Sequence, residues 1–297
     1  MKTLIAISGA TGIGKTEMAI LLANHFNTEI ISADSRQFFK EMNIGVARPS
    51  TEELARAKHH FIAHISIHES FSAGQFEVAA LQKLDEIFSV NDYAICVGGS
   101  GLYLDALING LDDLPSDHSV KQKYVELLNK EGIQRLQELL KEKDFHYFEK
   151  VDLSNPHRLI RALEIIEITG KSYTSLRTAL VKKREFNVKT FILTAERDFI
   201  YQRINKRVDM MLEQGLLEEA WALFPYQNLN ALNTVGYKEL FDAWNNNTDL
   251  SLAVELIKQH TRNYAKRQET WWRRNTSVSW INVDQEKNAF DQIIELL

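Results

Sequence analysis

The sequence predicts an α/β fold: a P-loop three-layer core with a mostly parallel sheet, interrupted by a helical insertion domain. Three observations lead to this prediction. Short apolar runs alternate with longer helical patterns over the first hundred residues, which is typical of parallel strands covered by helices on both faces. A glycine-rich loop follows the first apolar run. From residue 111 to about 184 only helical patterns rich in Leu, Glu, Lys and Arg remain.

Each element of the core is assigned from its local pattern. Short, mainly apolar runs predict strands at 3–8, 29–33, 93–97, 189–194 and 278–282. Helical patterns predict helices at 15–26, 74–89, 198–224, 236–246 and 250–274. Segment 61–67 alternates as a strand does. The predicted domains are a first part of the core at 1–112, the helical insertion at 113–186, and the completion of the core with C-terminal helices at 187–297.

Composition excludes several classes of protein. Thirty-five Lys and Arg against 40 Asp and Glu give a net charge of −5, so a nucleic acid would have to meet a local basic surface. The single cysteine, Cys96, excludes a disulfide framework and a multi-cysteine zinc module. No apolar run approaches the roughly 20 residues of a membrane helix, and the N-terminus has no leader-like pattern. We therefore expect a soluble, cytoplasmic protein with no membrane partner.

The glycine-rich loop matches the phosphate-binding pattern G-x-x-x-x-G-K-[ST] in full. It comprises Gly9, Ala10, Thr11, Gly12, Ile13, Gly14, Lys15 and Thr16, and it lies between a predicted strand and a predicted helix, as this motif requires. Its amide N–H groups can converge on phosphate oxygens at the helix N-terminus. Lys15 supplies a positive charge, and the Thr16 hydroxyl can complete the ligand shell of Mg²⁺. The loop predicts phosphate binding without identifying the ligand.

Polar residues follow the second and third predicted strands, at the sheet edge where open α/β folds bind ligands. Asp34, Ser35, Arg36 and Gln37 come directly after strand 29–33. Ser100 stands in a glycine-rich turn, 98–101, after strand 93–97. The turn after 93–97 has no carboxylate, so Asp34 is either a metal ligand or a general base. Helix capping by Asp34 or Ser35, and a simple helix start at Ser100, are the structural alternatives.

Six sequence blocks, which span nearly the whole chain, resemble the tRNA dimethylallyltransferase (tRNA isopentenyltransferase) family. They are Ser32–Gln37, Ile44–Pro49, Gly98–Tyr103, Asn155–Glu164, Val235–Lys238 and Thr261–Trp271. The resemblance implies transfer of a dimethylallyl group from dimethylallyl diphosphate to N6 of the adenosine 3′ of the anticodon, position 37 of tRNA. It implies that the loop holds the diphosphate, that Mg²⁺ assists, and that Asp34 is the general base. Ser100 stands where the family usually has threonine.

The resemblance also implies contacts with the anticodon stem-loop of tRNA, and we expect the protein to be a monomer. The implied contact residues are Asp34, Ser35, Arg36, Gln37, Lys121, His157, Arg158, Leu159, Ile160, Arg161, Asn233, Thr234, Val235, Gly236, Tyr237 and Lys238. Arg203 and Arg207, which follow strand 189–194, are further candidates for the diphosphate.

Two stretches are basic enough to meet RNA. Nine Lys and Arg stand against four Asp and Glu between 150 and 189. Lys258, Arg262 and Lys266 fall on one helical stripe near Trp271 and Trp272. Phosphate contacts by such residues would give affinity for RNA. A solvated helix face is the alternative for each stretch, and burial in the core is the alternative for the tryptophans.

Three other functions remain compatible with the residues alone. A kinase for a small molecule or nucleotide would use Asp34 for substrate or Mg²⁺ and the insertion as a lid. Prenylation of a free adenine nucleotide would use the same loop. A non-catalytic RNA-binding protein would retain the loop without its activity.

Overall fold

A computed structural model describes residues 1–178, 181–284 and 288–297. The chain forms two compact units. The first unit combines residues 1–108 with 184–297, and the second consists of 109–183. The bounds of the second unit lie a few residues before those of the predicted insertion at 113–186.

A parallel sheet forms the centre of the first unit and confirms the predicted fold class. In the described part of the chain it has six strands: β1 Thr3–Gly9, β2 Ile30–Ser32, β3 His59–His60, β4 Tyr93–Val97, β5 Asn187–Thr194 and β6 Ser279–Asn282. Their order is β3-β2-β4-β1-β5-β6, and every neighbouring pair is parallel. The register pairs Ile5 of β1 with Ile95 of β4 on one side and with Lys189 of β5 on the other.

Helices surround the sheet and build the second unit. In chain order they are α1 Lys15–His25, α2 Thr51–Arg56, α3 Ala73–Val90, α4 Gly101–Asn109, α5 His118–Glu131, α6 Ile133–Lys143, α7 Phe145–Phe148, α8 Pro156–Thr169, α9 Tyr173–Leu176, α10 Arg197–Glu213, α11 Leu216–Leu223, α12 Tyr237–Asn246, α13 Leu250–Trp272 and α14 Ala289–Glu295. None of them, within the described residues, is long and apolar enough to cross a membrane.

Alternation along β1 explains the three layers. Ile5 and Ile7 pack with α1 on one face of the sheet, while Leu4 and Ala6 pack with α3 on the other face. All four side chains are fully buried, because a central parallel strand is covered on both faces. A third apolar cluster joins α11, α12 and α13.

The second unit has its own apolar core, formed mainly by α5, α6 and α8. The start of α8 follows from the sequence. The Asn155 side chain accepts a hydrogen bond from the Arg158 amide, and Pro156 occupies the first turn, where it loses no helical bond. Gly170, with φ 67°, ends the helix in the left-handed conformation that glycine favours.

Two predicted elements are wrong in detail. Segment 61–67 is not a strand, because Phe61 and Ala63 adopt positive φ values of 61° and 48°, which no strand can contain. Phe61 and Ile65 instead pack against the apolar cluster that contains Phe38 and Phe76, whereas Ile67 is buried in the third apolar cluster. The single helix predicted at 198–224 is divided at Gly215, whose φ of 100° separates α10 from α11.

Candidate active site

The phosphate-binding loop connects β1 to α1 and holds its lysine close to the main chain. Lys15 Nζ donates to the carbonyl oxygens of Gly9 at 3.0 Å and Ala10 at 2.8 Å. A side chain at Gly9 would collide with the main-chain oxygen of Leu193 in β5, and Gly9 also has a positive φ of 141°. The first glycine of the motif is therefore required by the close approach of β5.

Burial lowers the pKa of Lys15 from 10.5 to about 8. The Asp34 carboxylate opposes this shift, and the positive charge of Arg207 adds to it. Because a bound anion would favour the protonated form of Lys15, the loop should bind a negatively charged ligand more tightly than a neutral one.

Two arginines of α10 reach the same loop, as the sequence suggested. Arg203 Nε donates to the Gly12 oxygen at 2.7 Å, and Arg207 Nη1 donates to Thr11 Oγ1 at 3.3 Å. Burial lowers the pKa of Arg207. Three cationic side chains thus contact the loop, and charge-assisted hydrogen bonds from such groups favour an anionic ligand.

Asp34 follows β2 and closes a tight turn. Its Oδ1 accepts the Arg36 amide at 3.1 Å, and its main-chain oxygen accepts the Gln37 amide at 3.1 Å. Hydrogen bonding within this turn leaves Oδ2 of the half-buried carboxylate without a bond in the described residues. Asp34 both shapes the turn and presents a carboxylate oxygen.

Ser100 fastens the second turn to the first. Its Oγ accepts the Ser35 amide at 3.0 Å and lies 2.9 Å from Ser35 Oγ. The hydroxyl of Tyr264 in α13 donates to the oxygen of Gly99, the residue before Ser100, at 3.4 Å. Burial, together with the Asp34 charge, raises the pKa of Tyr264 to about 12, so its hydroxyl stays protonated.

Gln268 of α13 is a site residue to which the sequence analysis gave no role. Its side chain is buried, with 5% exposure. Oε1 accepts the Thr11 amide at 2.8 Å, and Nε2 donates to the Gly99 oxygen at 2.8 Å. One amide side chain therefore joins the phosphate-binding loop to the turn that carries Ser100.

Asp34 lines two cavities of the first unit. The first cavity, of about 820 Å³, is also lined by Ser35, Arg36, Asn233, Thr234, Val235, Gly236, Lys238 and Arg267. The second, of about 1070 Å³, is also lined by Gly12, Gly14, Lys15, Thr16 and Arg203. Both share Thr11, Asp34, Val46, Ala47, Arg207 and Met211. Asp34 thus lies in the wall that the two cavities share, and Lys15 lines the second cavity only.

Other residues expected to contact RNA build the cavity walls. Arg36 donates to the oxygens of Asn230, Ala231 and Asn233 at 2.8, 2.9 and 3.2 Å. Gln37 Nε2 donates to the Ala47 oxygen at 3.0 Å. These two side chains hold wall segments in place.

Tyr237 is fully buried, and its hydroxyl donates to Glu219 at 2.6 Å. Its side chain therefore packs inside the first unit.

The predicted RNA-binding residues of the second unit fall into two groups. Lys121, His157 and Arg158 are exposed, whereas Leu159 and Ile160 are buried in the core of that unit. Arg161 donates to the oxygens of Leu114 at 3.1 Å and Pro115 at 2.9 Å, and it pairs with the buried Glu164 at 2.8 Å.

Burial alone would raise the pKa of Glu164, but hydrogen bonds from Arg161, Ser116 and the Asp117 amide together lower it. The Arg161 side chain thus supports the fold of the second unit.

The basic stripe of α13 does not form a free basic surface. Lys258 pairs with Asp209 at 2.8 Å, Arg262 donates to Asn205 at 2.7 Å, and the Lys266 ammonium lies 5.9 Å from the centre of the Tyr201 ring. The partners stand four residues apart on α10, so the two helices pair stripe against stripe.

The nearby tryptophans lie in or against the core. Trp272 has 2% exposure, and Trp271 occupies the space that a side chain at Gly101 would need. Trp272 is therefore a core residue, whereas Trp271 is half-buried and packs against the same apolar cluster from outside.

Comparison with known proteins identifies the family of this chain. Residues 37–275 match the family model described as IPP transferase. The tRNA dimethylallyltransferase of Christiangramia forsetii is 51% identical over 292 residues, which cover 98% of this chain and 97% of the relative. That of Flavobacterium johnsoniae is 46% identical, over 97% of this chain and 96% of the relative.

Solved structures give the same result. A tRNA isopentenylpyrophosphate transferase from Bacillus halodurans superposes with a TM-score of 0.72 and 35% identity, covering 100% of this chain and 94% of the other. A eukaryotic dimethylallyltransferase acting on tRNA gives a TM-score of 0.82 and 27% identity, covering 99% and 78%. On these grounds the chain belongs to the IPP transferase family, like the tRNA dimethylallyltransferases to which it is similar.

Proposed function

We propose that this protein transfers a dimethylallyl group from dimethylallyl diphosphate to N6 of the adenosine 3′ of the anticodon, position 37 of tRNA. The names of the relatives supply the dimethylallyl group and tRNA as its acceptor, and the sequence resemblance implies the diphosphate donor and the adenosine. The observation that carries the proposal is the position of Asp34 in the wall shared by the two cavities. This position lets a base act where a donor in one cavity meets an acceptor in the other.

The second cavity suits the diphosphate of the donor. Lys15, Arg203 and Arg207 line it together with glycines of the phosphate-binding loop. Preorganised cations and amide dipoles stabilise negative charge as it develops on a leaving group. Thr16 lines the same cavity, so its hydroxyl would hold Mg²⁺ there. When bound, Mg²⁺ would offset part of the diphosphate charge.

The first cavity suits the acceptor base. The reaction forms a bond from adenine N6 to the allylic carbon, breaks the bond from that carbon to the diphosphate oxygen, and releases one N6 proton. Asp34 accepts that proton, since an ionised carboxylate is the required form. Adenine must leave its stack to reach Asp34, and this costs little in a single-stranded anticodon loop. Ser100 and Tyr264 would keep the Asp34 turn in place.

Exposed basic side chains of the second unit suit the tRNA backbone. Lys121, His157 and Arg158 are exposed there and are available for phosphate contacts. We propose that the enzyme acts as a monomer on the anticodon stem-loop, and in the cytoplasm, where its substrates occur together.

The test uses labelled dimethylallyl diphosphate, Mg²⁺ and unmodified tRNA with adenosine 3′ of the anticodon. We expect one dimethylallyl group per tRNA, located at that adenosine by mass spectrometry after nuclease digestion. The same tRNA with guanosine at that position is the control and should remain unlabelled. No transfer by the folded protein refutes the proposal. Labelling of free adenine nucleotides, or phosphate transfer from ATP to a small molecule, would support one of the other functions instead.

A further inference from the structure

The loop of residues 43–48 (hereafter the 43–48 loop) belongs to the walls of both cavities. Val46 and Ala47 line both, Gly45 lines the first, and Asn43 and Ile44 line the second. The position of the 43–48 loop therefore sets the space available to both substrates on either side of the shared wall.

One carboxylate holds this loop through its main chain. Glu219 of α11 accepts the amides of three consecutive loop residues: Asn43 at 3.0 Å and Ile44 at 2.8 Å through Oε2, and Gly45 at 2.9 Å through Oε1. Hydrogen bonds to an ionised acceptor are roughly twice as strong as neutral ones. Three of them on successive residues fix the direction of the backbone as well as its distance from α11.

Tyr237 completes the arrangement. Its hydroxyl donates to Glu219 Oε1 at 2.6 Å, and burial, with the Glu219 charge, raises the pKa of Tyr237 so that the hydroxyl keeps its proton. A side chain at Gly45 would lie 2.6–2.7 Å from the buried Tyr237 ring, so only glycine allows this contact. The carboxylate, the phenol and the glycine thus define a single position for the 43–48 loop.

We infer that Glu219 is a positioning residue for the transfer reaction, with Tyr237 as its support. Neither side chain is among those that line the two cavities, so both act through the 43–48 loop. The inference rests on the proposed function, because the loop adjoins the donor and the acceptor only if both cavities are filled as proposed. Misplacement by about 1 Å at such a wall can reduce a rate about 100-fold.

The experiment compares Glu219→Gln with Glu218→Gln. Both remove one negative charge from neighbouring positions of α11, and Glu218 is exposed. For Glu219→Gln we expect kcat at saturating donor and tRNA to fall about 10- to 100-fold after correction for the folded fraction. Hydrogen exchange at the amides of residues 43–45 should become at least about tenfold faster, while exchange in β1 stays unchanged. Glu218→Gln should match the wild type in both measurements.

Tyr237→Phe removes only one of the four hydrogen bonds to the carboxylate and should give a smaller loss of kcat. Wild-type kcat in folded Glu219→Gln, or a loss that only follows the unfolded fraction, would overturn the inference. Unchanged exchange at residues 43–45 would overturn it as well. The wild-type protein is assayed in parallel with the variants. If the wild type itself transfers no dimethylallyl group, that result refutes the proposed function together with this role of Glu219.

Discussion

Replacement of Asp34 by asparagine tests the general base with little change in shape. Asparagine keeps an oxygen at the position that accepts the Arg36 amide at 3.1 Å, so the turn after β2 is retained. The variant loses the negative charge and the ability to take a proton from adenine. A positioned general base contributes about 10²–10⁴-fold, equivalent to about 3–5 kcal/mol of transition-state stabilisation. We expect the single-turnover rate of transfer to fall by that factor.

The same substitution changes Lys15 in a defined direction. The Asp34 charge favours protonated Lys15, so its removal lowers the pKa of Lys15 further below about 8. The variant should therefore lose affinity for the diphosphate donor at a lower pH than the wild type. The rate is best compared at pH 7 with saturating donor, where this second effect is smallest.

The assay measures single-turnover transfer and tRNA affinity on the same preparations. Asp85→Asn is the matched control, because Asp85 is an exposed carboxylate of the first unit that lines neither cavity. We expect near wild-type rates for the control and nearly unchanged tRNA affinity for both variants. An Asp34→Asn rate within tenfold of the wild type, or a loss that comes entirely from weaker tRNA binding, would refute the assignment of Asp34 as the base.

Three further outcomes are expected. Affinity for inorganic diphosphate, measured by calorimetry, should decrease as the pH rises through about 8, because Lys15 loses its proton there. In the Lys15→Met variant the affinity should vary with pH only as the ionisation of diphosphate itself does. Gln268→Leu removes the partner of the part-buried Thr11 amide and leaves the buried Gly99 oxygen with only the 3.4 Å contact from Tyr264, so urea unfolding should show a loss of about 1–3 kcal/mol. Arg158→Ala should weaken tRNA binding and reduce its salt dependence by roughly one phosphate contact without changing stability. Arg161→Ala should instead destabilise the protein by about 1–3 kcal/mol, because Glu164 loses its cation but keeps the hydrogen bonds from Ser116 and the Asp117 amide. Equal melting temperatures for the two arginine variants would contradict this distinction.

The parts of the fold that depend on neighbouring residues could be predicted from the sequence. The phosphate-binding loop and β4 follow directly from local patterns, and the start of α8 is set by Asn155 and Pro156. Segment 61–67 misled the prediction because apolar alternation does not reveal backbone dihedrals. Phe61 and Ala63 take left-handed conformations there, which their residue types do not favour.

The contacts that organise the site depend on residues far apart in the chain. Gln268 lies 257 residues from Thr11, and no local pattern distinguishes it from other glutamines on helices. Glu219 lies 174 residues from Gly45 and reads as an ordinary helix carboxylate. The sequence does contain a signal for the partners of the basic stripe of α13, because Tyr201, Asn205 and Asp209 repeat the same four-residue spacing on α10. Only the antiparallel pairing of the two helices shows that these stripes match.

The order of the strands has a consequence for synthesis on the ribosome. β1 lies between β4 and β5, so the first strand made remains unpaired along one edge until residues 187–194 emerge. The unit of residues 109–183 is continuous in sequence and consists of helices with local contacts, which form quickly. The helical unit of residues 109–183 is therefore synthesised completely before β5 becomes available to pair with β1. Until then one edge of the apolar strand β1 stays exposed.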